Sequence, residues 1–300
     1  MNLPPASTRH ILVLLCLAAL AHGALYAVLI PPWQAPDEIA HFEYSHLFAR
    51  LRRPLTPGDA SPALEHEIIA SLYRFRAWTL ALQQPPEQPP ERLADAPFFG
   101  RSRTLARFSL AYVPYALAAS PFLRHDVTTQ LYLMRLASVG LGMLVVVLAY
   151  KTARLVAPAD PALATASALF VLLLPQHAFL MASVNDGNLA EVLASAAIYF
   201  LLMMARQGLT WPRAAACLAC AWLALLTKAT AYFLIPLVLV AGLALIARQV
   251  SQFDRRTLGQ RAWLGLVIGV LMMGAVLSGR LVAPTLAYIQ SAIGPNLNSS

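Results

Sequence analysis

A chain of 300 residues that is 59% hydrophobic and only 12% charged is not an ordinary soluble globule, where about a quarter of residues carry charge. Its mean hydropathy of +0.62 points instead to a polytopic, all-α membrane protein. The formal net charge is +8, yet apart from Lys151 and Lys228 the basic residues are arginines, many of which punctuate apolar runs rather than share one polar face. The lipid bilayer, and not nucleic acid, is therefore the expected partner.

The first apolar run, residues 10–30, follows Arg9 and is long enough to span. Ala19-Leu20-Ala21 resembles a signal-peptide cleavage site, but the run continues past it to Ile30. An uncleaved first span is expected, with residues 1–9 on the cytoplasmic side. A loop over residues 31–130 follows. Within it, residues 36–53 repeat Ala40, Tyr44, Leu47 and Leu51 at helical spacing, and residues 63–82 do the same with Leu64, Ile68, Leu72, Phe75 and Leu82. Both segments read as amphipathic helices on the membrane surface. A proline-rich stretch over residues 83–97 breaks helix. Residues 108–123 are apolar but short, with Pro114 in the middle, and read as an interfacial segment that does not cross.

Six further spans are expected at 131–150, 161–182, 187–205, 212–227, 229–247 and 262–282, with an outer tail over 283–300. This count of seven puts Lys151 and Arg154, then Arg206 and Arg213, then Arg248, Arg255, Arg256 and Arg261 on the side of the N-terminus. That is the positive-inside pattern, and it fails if 108–123 crosses. Abundant arginine also suits a GC-rich bacterial genome, so the expected home is a bacterial inner membrane.

The same topology sends the unusual polar residues outward. Pro36-Asp37-Glu38-x-x-His41-Phe42 follows the first span directly, and Asn185-Asp186, Lys228 and Arg280 occupy other outer junctions. Carboxylates at a helix start are ordinary dipole complements, Asn185 can cap, and Lys228 can snorkel. Ionisable groups at several outer junctions on one face nevertheless suggest a shared site, because charges at membrane depth usually face a cavity or a partner. Lys228 and Arg280 suit a phosphate. A carboxylate beside them suits a general base, or a ligand for a divalent cation such as Mg or Mn. Asp37 and His41 are the candidate ligands, although an Asp-x-x-x-His pair is a weak metal signal. Cys217-x-x-Cys220 has no second pair, so the two cysteines read as small apolar helix residues.

The first span followed by Pro32-x-x-x-Pro36-Asp37-Glu38-x-x-His41-Phe42 resembles the GT-C superfamily of integral-membrane glycosyltransferases. Within it, the chain looks most like bacterial predicted membrane proteins with a Pro-Asp-Glu-x-x-His-Phe signature. Dolichyl-phosphate-mannose protein mannosyltransferases and lipid A aminoarabinose transferases are more distant likenesses. The resemblance covers residues 10 to 250. It implies inverting transfer of a sugar from a polyprenyl-phosphate donor to an acceptor hydroxyl at the outer face, by a hexosyl or pentosyl transferase. It implies catalytic roles for Asp37, Glu38 and Asp186, and substrate contacts from His41, Asn185 and Lys228. Arg280 joins the donor phosphate by position alone. Relatives carry a Pro-Pro-Leu-Tyr-Tyr-type segment where this chain has Tyr112-Val113-Pro114-Tyr115, so Tyr112 and Tyr115 depart from the pattern as donor contacts. Relatives are also usually longer, so the chain is expected to be a shortened paralogue, a fragment, or one part of a complex with another envelope-assembly subunit. The rival readings are a transporter or flippase, and a non-catalytic scaffold of cell-envelope polysaccharide assembly.

Overall fold

The computed structural model describes residues 5–78, 84–93 and 109–252, and every regular element among them is helical. Helix α1 (Pro5–Leu29) is the first apolar run. It ends just before Pro31 and Pro32, which have no N–H to continue the ladder. The chain then turns through two residues in the left-handed region, Trp33 at φ 69° and Asp37 at φ 57°, and enters α2 (Glu38–Leu51).

Helix α2 is not an interfacial helix with one face in lipid. Ten of its fourteen residues are buried, charged ones included. It packs against α3 (Pro62–Arg74), α4 (Val113–Ala119) and the single 3-10 turn (Leu110–Tyr112) that leads into α4. Helix α3 stops at Arg74, short of the expected residue 82, and Arg76 adopts a left-handed φ of 49°. Helix α4 has seven residues, about 10 Å of rise, against the ~30 Å of a hydrocarbon core. These elements form a cap whose core is aromatic, built on Trp33, Phe42, Tyr44, Trp78, Tyr112 and Tyr115.

Helix α5 (Val127–Val156) has 30 residues, about 45 Å of rise, and serves both regions. Its first turns put Val127, Leu131 and Met134 into the cap core, and its later turns pack on α1 and α6. The expected span at 161–182 is broken. Helix α6 (Pro161–Leu173) and helix α7 (Pro175–Met181) meet at 65°. Pro175 removes an N–H and forces Leu174 to an extended ψ of 111°. Helix α8 (Gly187–Gln207) returns, followed by α9 (Trp211–Thr227), a 3-10 segment (Ala229–Phe233) and α10 (Leu234–Gln252). Glycines set two close crossings. A Cβ on Gly23 would lie 2.7 Å from Val139 Cγ1, and one on Gly142 3.0 Å from Met181 Cβ.

Among the described residues, α1, α5 and α8 are long and apolar enough to cross a membrane, and the bent α6–α7 pair makes a fourth candidate. Helix α9 is a shorter apolar helix. The seventh expected span, the tail and Arg280 lie outside the described residues. Antiparallel packing carries the end of α1 and the starts of α5, α8 and α10 to one end of the bundle, beneath the cap. Arg9, Lys151, Arg154, Arg206, Arg213 and Arg248 belong to the other end, where Arg206 Nη2 donates to Val156 O at 3.2 Å.

Candidate functional site

The capped end is organised by an ion pair with no exposed surface. Glu38 and Arg135 both have 0% side-chain exposure. Arg135 Nε donates to Glu38 Oε1 at 2.9 Å and Nη2 donates to Oε2 at 2.6 Å, the bidentate fit of guanidinium to carboxylate. Nη1 donates to Ala27 O at 2.9 Å and Ile30 O at 2.6 Å, and Nη2 also to Pro31 O at 3.1 Å. These carbonyls come from the end of α1, where helix carbonyls lack intrahelical donors and the dipole favours a cation. The Glu38 carboxylate accepts two more bonds, from Trp33 N and Val184 N, each at 3.2 Å. All five guanidinium N–H groups are satisfied by this set.

Glu38 is thus occupied inside the protein, whereas its neighbour Asp37 is exposed, with no capping bond from its side chain. The left-handed backbone at Asp37 turns successive carboxylates apart, one inward and one outward. Aspartate tolerates that region better than most residues. Trp33, for which it is a genuine outlier, is held by Nε1 donating to Ser71 Oγ at 2.8 Å and by an edge contact with Phe42.

One turn on, His41 is buried, and its Nδ1 lies 3.1 Å from Tyr112 Oη. Its Nε2 stands 3.8 Å from Asp186 Oδ1. Asp186 in turn accepts from Lys228 Nζ at 2.5 Å. Lys228 is therefore paired rather than snorkelling. Burial lowers the pKa of His41 below its ordinary 6.5, against the upward pull of Asp186, Asp37 and Glu38, while Lys228 lowers it further. His41 sits within electrostatic reach of four of the predicted charged residues at once.

A second network fixes the loop that delivers Asp186. Tyr115 Oη donates to Asn185 O at 2.7 Å, and Ser138 Oγ donates to Ser183 O at 2.5 Å. Asn188 Nδ2 donates to Leu180 O at 3.1 Å and Ser183 O at 3.0 Å. Asn185 Oδ1 accepts from Gly187 N at 2.7 Å, an Asx turn that leads into α8, whose N-cap is Asp186. The start of α9's exit is tied in as well, through Ser109 Oγ donating to Thr227 O at 2.5 Å.

The predicted residues divide cleanly. Asp37, His41, Tyr112, Asp186 and Lys228 converge at the capped end, while Tyr115 and Asn185 support the loop that carries Asp186. Among the described residues, no three His, Cys, Asp or Glu side chains gather as a ligand set. Asp186, the carboxylate nearest His41, already accepts the Lys228 ammonium. These residues therefore do not fit a divalent cation held by Asp37 and His41. Cys217 and Cys220 are free thiols on α9. The residue missed from sequence is Arg135. An arginine at the entrance of an apolar run signals a need for a partner, and Glu38 was among the few acidic candidates.

Fold and site together define a helical integral-membrane protein with a polar cluster beneath a helical cap at one end of its bundle. The chain belongs to the family described as predicted membrane protein (DUF2142), whose model matches residues 20–297. No curated protein and no solved structure matches the chain.

Proposed function

We propose that the chain transfers a sugar from a polyprenyl-phosphate donor to an acceptor hydroxyl, at the face of a bacterial inner membrane where the cap lies. The observation that carries this reading is the polar cluster around His41, with the exposed carboxylate of Asp37 at its edge. Grouped arginines at the far end suit a cytoplasmic face there, which leaves the cap outside. The GT-C resemblance supplies the reaction class.

In this reading Asp37 takes the proton of the acceptor hydroxyl. The acceptor oxygen bonds to the anomeric carbon from the face opposite the leaving group, which inverts the configuration. The bond from that carbon to the phosphate oxygen breaks, and its electron pair leaves with the polyprenyl phosphate. Lys228 receives the phosphate charge, with Asp186 holding the ammonium in place when no donor is bound. Arg280 is proposed as a second phosphate contact. His41, held by Tyr112, orients the acceptor beside Asp37. Glu38 has no open lone pair for the substrate and acts from behind Asp37.

Membranes containing wild type or Asp37→Asn, supplied with radiolabelled polyprenyl-phosphate sugars, test this. Removing a general base lowers turnover by about 10²–10⁴-fold, at equal expression. Unchanged transfer would end the role given to Asp37.

A transporter reading has its own observation. Helix α7 of the broken α6–α7 span holds His177 Nε2 2.9 Å from Glu191 Oε1 on α8, an ionisable contact between two membrane helices. Uptake or flipping of the labelled lipid without sugar transfer, abolished by Glu191→Gln, would favour it.

A further inference from the structure

We infer that Arg135 is a positioning residue. Through Glu38 it sets the placement of Asp37 relative to Asp186, two carboxylates from segments 149 positions apart in the chain. The inference rests on the reading of Asp37 and Asp186 as site residues.

The geometry is specific. Arg135 stands in the first turns of α5, and its five donors reach only two neighbouring segments. Three go to carbonyls at the end of α1, which aim the Pro31–Pro36 turn. Two go to Glu38, the residue after Asp37. Glu38 Oε1 then accepts from Val184 N, two residues before Asp186, and Oε2 from Trp33 N on the other side of the turn. A movement of the Glu38 carboxylate therefore moves both walls of the site. Glu38 and Asp37 are successive residues across a left-handed backbone, so a backbone shift at Glu38 carries Asp37 with it. Among the described residues, the hydrogen bonds that link the Pro31–Pro36 turn to the loop before α8 run through Glu38 and Arg135.

Packing alone does not supply this link. A buried charge pair is often matched in stability by apolar residues of the same volume. What apolar residues cannot reproduce is the set of directions. The planar fork fixes the carboxylate in two bonds, and lysine, with a point charge, fixes it in one. Arg135 touches no predicted substrate contact, so it acts only through Glu38 and the backbone.

The test uses the whole chain in lipid nanodiscs, with Arg135→Lys and the double variant Glu38→Leu/Arg135→Met. In a background lacking the three cysteines, spin labels are placed at Pro36→Cys and Ala229→Cys, both exposed positions outside the pair. A narrow label-to-label distance distribution is expected with Arg135 present, and a broad or split one in both variants, even where thermal unfolding matches the parent. Sugar transfer in the unlabelled variants is expected to lose kcat by tenfold or more, with KM for the donor within twofold. A distribution as narrow in the double variant as in the parent, or kcat restored by the apolar pair, would overturn the inference. If wild type transfers no sugar yet the distributions broaden as stated, the proposed reaction falls and the clamp stands.

Discussion

The cap and the bundle are built on opposite principles. Beneath the cap, aromatic rings surround buried polar groups, among them Glu38, His41, His46, Glu65, Gln130 and Arg135, almost all with partners of defined direction. His46 Nδ1 meets Gln130 Oε1 at 2.7 Å, and Glu65 takes Arg92 and the backbone of Leu93. The α8–α9–α10 interface is made instead of Ala197, Ala221, Ala224, Ala231 and Cys217, with Leu201, Met204 and Leu225 between them. Small residues let helices approach closely where lipid offers no hydrophobic drive to associate. The bundle is thus held by contact area and the cap by directed bonds. Directed bonds fix where a carboxylate points, which is why the polar cluster sits under the cap and not between α9 and α10.

That contrast predicts where substitutions hurt most. Glu38→Ala leaves Arg135 buried and unpaired, and costs about 3–5 kcal/mol, the largest effect expected of a single change. Thermal unfolding in detergent, compared with Glu38→Ala/Arg135→Met, measures it; equal losses in both would make the pair ordinary packing. Leu72→Ala, in the cap core with no exposed surface, opens a cavity worth about 2–5 kcal/mol. Its loss should appear in the cap first, as faster proteolysis between α3 and α5 with the bundle intact. Simultaneous loss of both regions would show that cap and bundle unfold as one cooperative unit.

The sequence made the bundle far more legible than the cap. Hydropathy alone places the first span at 10–30 against the observed Pro5–Leu29, because an unbroken apolar run has one dominant outcome. The shortness of 108–123 likewise set the expectation of a segment that does not cross, and its longest helix has seven residues. Periodicity also located α2, but assigned its apolar face to lipid when α3 and α4 bury nearly all of it. A helical pattern says that a face is covered, never by what. The break at Pro175 stood in the sequence as a single proline within an apolar run, a signal weaker than the run around it. Asp37, His41, Asp186 and Lys228 could be gathered from the expected topology, which puts each of them at an outer junction. Arg135 was passed over because one arginine among many looked like a topology marker, and only contact with Glu38 distinguishes it.

Smaller effects sharpen the comparison from the other side. Ala221→Leu adds three carbons where α8 and α9 meet with no exposed surface, and overpacking there costs about 1–3 kcal/mol. Because no directed bond is lost, it should weaken the bundle while leaving sugar transfer by the surviving folded protein unchanged per molecule. A matching loss of kcat would mean that the site depends on bundle packing as much as on the cap.

Acidity should weaken the cap. Burial lowers the pKa of both His41 and His46 below 6.5, for His46 against the hydrogen bond to Gln130. Each then binds fewer protons folded than unfolded, so stability rises with pH through this range. The contribution is complete above pH 6.5 and is lost as the pH falls toward the folded-state values. Each histidine supplies a slope of at most about 1.4 kcal/mol per pH unit. Unfolding followed between pH 7.5 and 5 should show this decline, and His46→Gln, which lies away from Asp37 and Asp186, should remove part of it. His46→Gln should leave the pH dependence of transfer in place, because His41 is the histidine that faces the site. A decline unaltered by His46→Gln would place the titration elsewhere, and the cap would lose its claim to be the acid-sensitive half of the molecule.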